Sequence, residues 1–240
     1  MKKIIMIAAL SLLSLALSIA HADENAIRQA LVKSMPSVKV GTVKPSEISG
    51  LFEVTVGGNV VYVSGDGKYL IQGHLVDVAA GTDLTEVKLG GARKQAIENL
   101  GVDKMIVFKP KINKYKVSIF TDIDCGYCRK LHSELDQYMA EGITIQYLFF
   151  PRAGKGSDSY QKAISVWCAE DRKAALTSAK KGETPPSKTC ANPIDEHMQL
   201  AEEFDVKGTP MMVTENGTVI PGYLPAKQLA EALANEKATK

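Results

Sequence analysis

The hydrophobic pattern of the chain opens on a block unlike anything that follows it. Lys2 and Lys3 lead into an apolar run from Ile4 to Ala20, relieved only by Ser11, Ser14 and Ser18, and the run ends in Ala20-His21-Ala22 before acidic Asp23 and Glu24. Basic, apolar and small-residue segments in that order predict a signal peptide over residues 1–22, cleaved after Ala22. A retained spanning helix would need a longer uninterrupted stretch. From residue 25 the pattern turns helical, with Ile27, Ala30, Leu31 and Met35 on one stripe, until Pro36 stops it. Short strand-like pieces follow over Val38 to Val43, Leu51 to Val56, Val60 to Ser64 and Tyr69 to Gln72. The links Gly57-Gly58-Asn59 and Gly65-Asp66-Gly67 have hairpin chemistry, since glycine accepts positive φ.

This first module, a helix plus a small antiparallel sheet, would bury only a marginal core at roughly 60 residues. Leu70, Ile71, Leu75 and Val76, with Gly73 among them, are candidates for an edge that pairs with a second copy; an ordinary strand of a monomer is the alternative. From Leu84 to Gly101 the pattern becomes charged and helical, with Ala92, Ala96, Ile97 and Leu100 on one stripe and Gly90-Gly91 near its start. That predicts a linker helix with a possible hinge, or a surface helix of the second module. Apolar strands then appear at Met105 to Phe108, Tyr115 to Thr121 and Ile143 to Phe150. Between the last two, Cys128, Leu131, Leu135 and Met139 recur at helical spacing. Ile164, Trp167 and Leu176, then Ile194, Met198, Ala201 and Phe204, mark a helical region, after which Gly208-Thr209-Pro210 leads into Met211 to Val213. A turn at Asn216-Gly217, a strand at Val219-Ile220 and a helix beyond Pro225 close the chain.

Composition narrows the functional classes. The chain has 29 Lys and Arg against 27 Asp and Glu, and removing the leader's two lysines leaves the two signs equal. A net basic footprint for nucleic acid is absent. Export makes disulfides permissible, so four cysteines read as two pairs.

The chemistry centres on Cys125-Gly126-Tyr127-Cys128, between an apolar strand and a helical stretch. Two sulfurs three positions apart at a helix start can reach one another, and the free N–H groups there favour a thiolate. Zinc would require four ligands, usually in two close pairs; Cys168 and Cys190 lie far apart in sequence without a second CxxC. The predicted set therefore contains no metal and no cofactor.

The second module, with its β-CxxC-α-β unit, late Thr-Pro, closing hairpin and last helix, resembles thioredoxin. The runs FTDIDCGYCRKLH, GTPMMVTENGTVIPGY and VYVSGDGKYLIQG are similar to the periplasmic disulfide isomerases of the DsbC type; the DsbG type shares the same two-module plan. The resemblance implies an α+β N-terminal dimerisation module over residues 23–84, a linker helix over 85–102 and a thioredoxin-like α/β domain with a helical insertion over 103–240. It further implies a homodimer whose active sites face a cleft that holds misfolded, disulfide-containing exported proteins and chaperones them through apolar surface. A membrane thiol reductant of the DsbD type would keep the enzyme reduced, without stable membrane insertion of the chain itself. Carried over by position, Cys125 is the nucleophile and Cys128 the resolving thiol. Gly126 and Tyr127 between them, and Thr209 with a cis Pro210 facing them, contact substrate. Cys168 and Cys190 form a structural disulfide whose loop of about 23 residues is worth roughly 3 kcal/mol.

Two charges flank the motif. Asp124 before Cys125 disfavours its thiolate, whereas Arg129 after Cys128 and the helix terminus favour it, so the two are expected to offset in part. A Cys125 pKa near 7 would raise thiolate from roughly 3% to half at neutral pH, about 2 kcal/mol of differential stabilisation. His132, four residues after Cys128, has the spacing of a ligand or relay, though a polar helix position is the simpler expectation; Trp167, Met211 and Met212 read as core or cleft lining. The function implied is thiol–disulfide isomerisation or reduction. A disulfide oxidase and a redox-inactive chaperone are the alternatives; the N-terminal module counts against the first and the intact cysteines against the second.

Overall fold

A short N-terminal helix and a meander of antiparallel strands form the first of two units into which the chain divides, one ending at Thr85 and the other beginning at Glu86. The structure, a computed structural model, describes residues 24–36, 40–56 and 59–238. The expected leader, the first residues of the strand placed from Val38, and the Gly57-Gly58 link lie outside the described residues.

In the first unit α1, over residues 24–34, is followed by strands β1 (Val40–Pro45), β2 (Leu51–Val56), β3 (Asn59–Ser64) and β4 (Leu70–Ile71). They pair in sequence order, all antiparallel. Ile27 and Leu31 of α1 pack on Val43, Val54, Val61 and Val63, the inward-facing positions of the sheet. Gly67 turns β3 into β4 at φ 71, and a Cβ there would sit 2.9 Å from that of Ala30, so both conformation and space require glycine. A two-stranded ribbon, β5 (Val76–Asp77) with β6 (Thr82–Asp83), completes the unit.

The helix α2 (Leu84–Leu100) runs unbroken through Gly90-Gly91. Within the second unit its Ala96, Ile97 and Leu100 pack against a cluster that includes Phe120, Leu148 and Phe204. Gly90 is also where the hairpin at Gly217 approaches; a Cβ built on Gly217, itself at φ 85, would lie 1.8 Å from the Gly90 carbonyl oxygen.

The second unit is built on a five-stranded sheet of order β11-β10-β8-β9-β7, from β7 (Ile106–Phe108), β8 (Tyr115–Thr121), β9 (Ile143–Phe149), β10 (Met211–Thr214) and β11 (Val219–Pro221). Only β8 and β9 are parallel, as the crossover between them requires. Both faces of this pair are buried, which explains their near-continuous apolar runs: Val117, Ile119, Ile143, Ile145 and Tyr147 enter one cluster, Phe120 and Leu148 the other. The crossover is two helices, α3 (Gly126–Ser133) and α4 (Leu135–Ala140), separated where Glu134 leaves helical geometry. The single helix expected from the spacing of Leu131, Leu135 and Met139 is thus interrupted.

After β9 comes the helical insertion, α5 (Asp158–Trp167) and α6 (Arg172–Lys180), then α7 (Ile194–Glu203); α8 (Ala226–Ala238) ends the described chain. Ser157 caps α5 and Asp171 caps α6 through side-chain oxygens that accept backbone N–H groups. Trp167, Met211 and Met212 are core residues. Among the described residues no helix is long and apolar enough to cross a membrane.

Candidate active site

Strand β8 ends at Thr121, and the next four residues turn the chain so that Cys125 becomes the N-cap of α3. Its backbone carbonyl accepts from the Arg129 N–H at 3.0 Å, while its own N–H donates to the Asp122 carbonyl at 3.2 Å. Both sulfurs are free thiols held at low exposure, 4% for Cys125 and 1% for Cys128. The segment before β10 folds over them: the Thr209–Pro210 peptide is cis, and the Cys125 thiol donates to the Thr209 carbonyl at 3.1 Å. The Thr209 hydroxyl is buried and has no hydrogen-bond partner among the described residues.

The two thiols are driven apart in acidity. Burial pushes the Cys125 pKa up, but the Thr209 side chain, the backbone and thiol of Cys128 and the Arg152 charge outweigh it and hold the thiol below the ordinary cysteine value. Cys128 sits deeper. There burial wins and raises its pKa, against the opposing pull of the Lys180 charge and of the neighbouring polar groups of Thr121, Asp122 and Thr209. One sulfur is prepared to attack; the other is held in reserve as a thiol.

The two charges nearest in sequence are paired with one another. Arg129 donates to Asp124 at 3.0 Å and to the Ile123 carbonyl at 2.9 Å, and Lys162 donates to both Asp124 oxygens at 3.0 Å. Asp124 is therefore balanced by pairing, and a cation that lowers the Cys125 pKa is Arg152, from the loop after β9. Arg152 is aimed by Asp122, a buried carboxylate that accepts from its Nε at 3.0 Å and from its backbone N–H at 3.1 Å. Ser159 and the Asp124 N–H also donate to Asp122, and these bonds hold its pKa down despite burial. Neither Asp122 nor Arg152 was marked by spacing from the cysteines.

His132 is neither a surface residue nor a free ligand. It is buried between the Tyr147 hydroxyl, 3.2 Å from Nδ1, and the Thr177 hydroxyl, 3.0 Å from Nε2. Burial and the Lys180 and Lys181 charges lower its pKa to about 4, so it is neutral at working pH. Outside the sulfurs, Tyr127 is 65% exposed and stacks on Tyr223, with ring centroids 6.3 Å apart. Lys130 lies over the other ring at 4.6 Å. The pair makes an open aromatic ledge beside Cys125; Tyr223 was missed because it lies on a loop nearly a hundred positions away.

Cys168, at the C-cap of α5, is bonded to Cys190, ahead of α7, with Cα atoms 5.7 Å apart. The loop so closed contains α6, whose last residue, Lys180, reaches back to the active-site turn. No group of acidic, histidine and cysteine side chains able to hold a metal occurs among the described residues.

Comparison with known proteins agrees with this arrangement. The profile of the thioredoxin-like domain matches residues 102–237, and that of the disulfide bond isomerase protein N-terminal domain matches residues 18–86. The thiol:disulfide interchange protein DsbC of Dickeya dadantii is 41% identical over 231 residues, 95% of this chain and 94% of the relative. DsbC of Escherichia coli K12 is 38% identical over 216 residues, 89% of each chain. A crystal structure of a disulfide interchange protein from Neisseria gonorrhoeae superposes with a TM-score of 0.51 at 35% identity, over 56% of this chain and 96% of that one. With both profiles matched in order and relatives this similar over almost their whole length, the chain belongs to the DsbC family of thiol:disulfide interchange proteins.

Proposed function

We propose that this chain is a thiol:disulfide isomerase of exported proteins, acting in the periplasm after loss of residues 1–22 and as a homodimer joined through residues 23–84. Cys125 is the nucleophile, Cys128 the resolving thiol, and Thr209, Pro210, Gly126 and Tyr127 the substrate-contacting residues. The observation that carries this reading is the divergence of the two thiols at the start of α3: Cys125, at the helix N-cap facing the cis Thr209–Pro210 segment, is acidified by the Thr209 side chain, the Cys128 N–H and the Arg152 charge, and Cys128 is held protonated behind it.

In the reaction, the Cys125 thiolate attacks a non-native disulfide, forming a mixed disulfide and releasing one substrate thiolate. When that thiolate attacks another disulfide of the same substrate, and the chain of exchanges returns to the mixed disulfide, Cys125 leaves as thiolate and the enzyme emerges reduced. When no such attack comes, Cys128 displaces the substrate as a thiol and a Cys125–Cys128 disulfide remains, to be reopened by a membrane reductant of the DsbD type. The Thr209 backbone is placed to pair with an extended substrate segment, and the Tyr127–Tyr223 ledge offers apolar contact that also suits unfolded chains.

Recovery of activity by scrambled, multi-disulfide ribonuclease tests the assignment. The reduced protein should restore it, Cys125→Ser should abolish the effect, and Cys128→Ser should accumulate covalent complexes with substrate. Activity retained by Cys125→Ser removes the nucleophile from the proposal.

A further inference from the structure

A buried lysine stands behind the resolving thiol, and the reaction as described gives it no task. Lys180 closes α6 and is 4% exposed, unusual for a side chain that carries a full charge. Its ammonium donates to the Thr121 hydroxyl at 2.7 Å and to the Asp122 carbonyl at 2.7 Å, both on the segment that delivers Cys125. Thr121 is fully buried, and its side chain and the Lys180 charge both pull the Cys128 pKa down against the effect of burial. Lys180 thus reaches the strand end beside Cys128 from a helix that packs on α3, where the Thr177 hydroxyl, one turn before Lys180, lies 3.0 Å from Nε2 of His132, one turn after Cys128. Lys180 also borders a groove of about 410 Å3, shared with Phe108, His132, Leu135 and Thr177, which gives its ammonium a route to water.

We propose that Lys180 is the positioning residue for the resolving step: acting through the Thr121 hydroxyl, its ammonium stabilises the Cys128 thiolate as that thiol turns on the mixed disulfide, and so sets how long a substrate stays on Cys125. The inference rests on the proposed roles of the two cysteines. In the step, Cys128 loses its proton to water, the Thr121 O–H donates to the thiolate, and Lys180 donates to Thr121. The thiolate attacks the Cys125 sulfur; the Cys125–Cys128 bond forms, the Cys125–substrate bond breaks, and the substrate sulfur departs with the electron pair and is protonated from water. The enzyme dithiol is oxidised by two electrons and the substrate disulfide reduced by two.

The surroundings keep this lysine near its titration point. Burial, with the like charge of Arg129, lowers its pKa to about 8, while Cys128, Asp122 and Cys125 pull the other way. The remaining titratable or charged groups around it are His132 on α3, neutral as described, Tyr147 on β9, Lys181 beside it on α6, and Arg152, committed to Asp122; Lys162 on α5 is paired with Asp124. Lys180 is thus charged at neutral pH and loses its charge just above it, whereas an exposed lysine would keep it.

Stopped-flow reaction of the reduced, full-length protein with excess Ellman's reagent separates the steps. The first release of thionitrobenzoate depends on reagent concentration and reports Cys125; the second does not, and reports Cys128 attacking the mixed disulfide. In Lys180→Met the second phase should slow about tenfold at pH 7 and its pH midpoint rise by about one pH unit, because one unit of thiol pKa is tenfold in thiolate below the midpoint. The first phase should stay within about twofold. Lys180→Arg, which keeps the charge, should restore the second phase at pH 7, and Thr121→Val should slow it as Lys180→Met does. A second phase unchanged in rate and midpoint in a folded Lys180→Met or Thr121→Val protein overturns the proposal; a purely structural lysine would change melting but not the midpoint. Cys128→Ser supplies the separate control: a second phase that persists there overturns the resolving role of Cys128 itself.

Discussion

At the scale of single residues, the site works by making two chemically equal thiols unequal. The lowered pKa of Cys125 rests partly on Arg152, which the Asp122 carboxylate aims at it. Arg152→Met should therefore move the pH midpoint of Cys125 alkylation by iodoacetamide up, by about half a pH unit for loss of one charge partly screened by water. In the unaltered protein the midpoint should lie below that of a free cysteine. A midpoint unmoved by Arg152→Met would assign the acidity to the helix terminus and Thr209 alone. The CxxC announced itself in the sequence because both sulfurs lie within four positions. Arg152, Lys180 and His197 did not, because each reaches its partner across 27 to 93 positions and no local pattern records such a meeting. His197 is the sharpest case. Its Nδ1 accepts from the Phe149 N–H at 3.1 Å, which leaves Nε2 as donor to the Lys104 carbonyl at 2.7 Å. Both nitrogens are committed to the neutral form, and burial lowers the pKa to about 4. With the folded pKa depressed below the unfolded value of 6.5, the unfolded state binds the proton first, so stability falls as pH drops from 6.5 towards 4. The loss for this residue is about 3 kcal/mol at pH 4. Urea melts across that range should show a shallower decline in His197→Gln; an equal slope would place the acid sensitivity elsewhere.

At the scale of elements, the strands of the second unit were legible because both their faces are buried, so the apolar run needs no register to be seen. The break at Glu134 was not. It follows no proline or glycine, and the Glu134 carboxylate accepts from the Tyr223 hydroxyl at 2.5 Å, a tertiary contact without a local signal. Gly90-Gly91 was readable as a hinge, yet Gly90 has a packing reason: the hairpin at Gly217 needs the absence of a side chain on both partners. Gly217→Ala should cost about 2 kcal/mol, combining a positive φ with a collision against backbone that cannot step aside. Chemical denaturation measures this, and an alanine variant as stable as the parent would mean that α2 separates readily from the hairpin. The Cys168–Cys190 bond belongs to the same scale. It closes the loop that carries α6, and replacing both cysteines by serine should cost about 3 kcal/mol on loop entropy. Because Lys180 ends α6, that replacement should also slow the second phase with Ellman's reagent while leaving the first in place.

At the scale of the whole molecule, the first unit has a feature its own fold does not use. β4 pairs with β3 on one side only, and its Leu70 and Ile71, with neighbouring Tyr69 and Val76, are exposed; Ile71 is 52% accessible. An open strand edge carrying large apolar side chains is a template for another strand, and proteins that stay monomeric blunt such edges with charge or proline. Here neither Leu70 nor Ile71 is so protected. The sequence pointed to this stretch through its composition, but alternation alone cannot separate an edge that takes a partner from one that ends a sheet, because both bury one face and leave the other to its surroundings. Under the proposed function the distinction has a kinetic signature. Exchange at a single CxxC with a small disulfide needs one subunit, whereas holding a misfolded chain long enough to reshuffle it gains from two sites facing one substrate, through effective concentration. Ile71→Asp places a carboxylate on the pairing edge without touching the second unit. It should sediment as a monomer, keep both phases of the reaction with Ellman's reagent, and restore scrambled ribonuclease several-fold more slowly than the parent. An Ile71→Asp protein that sediments like the parent removes β4 from the interface, and a monomer that reshuffles ribonuclease at full rate removes the need for a second copy.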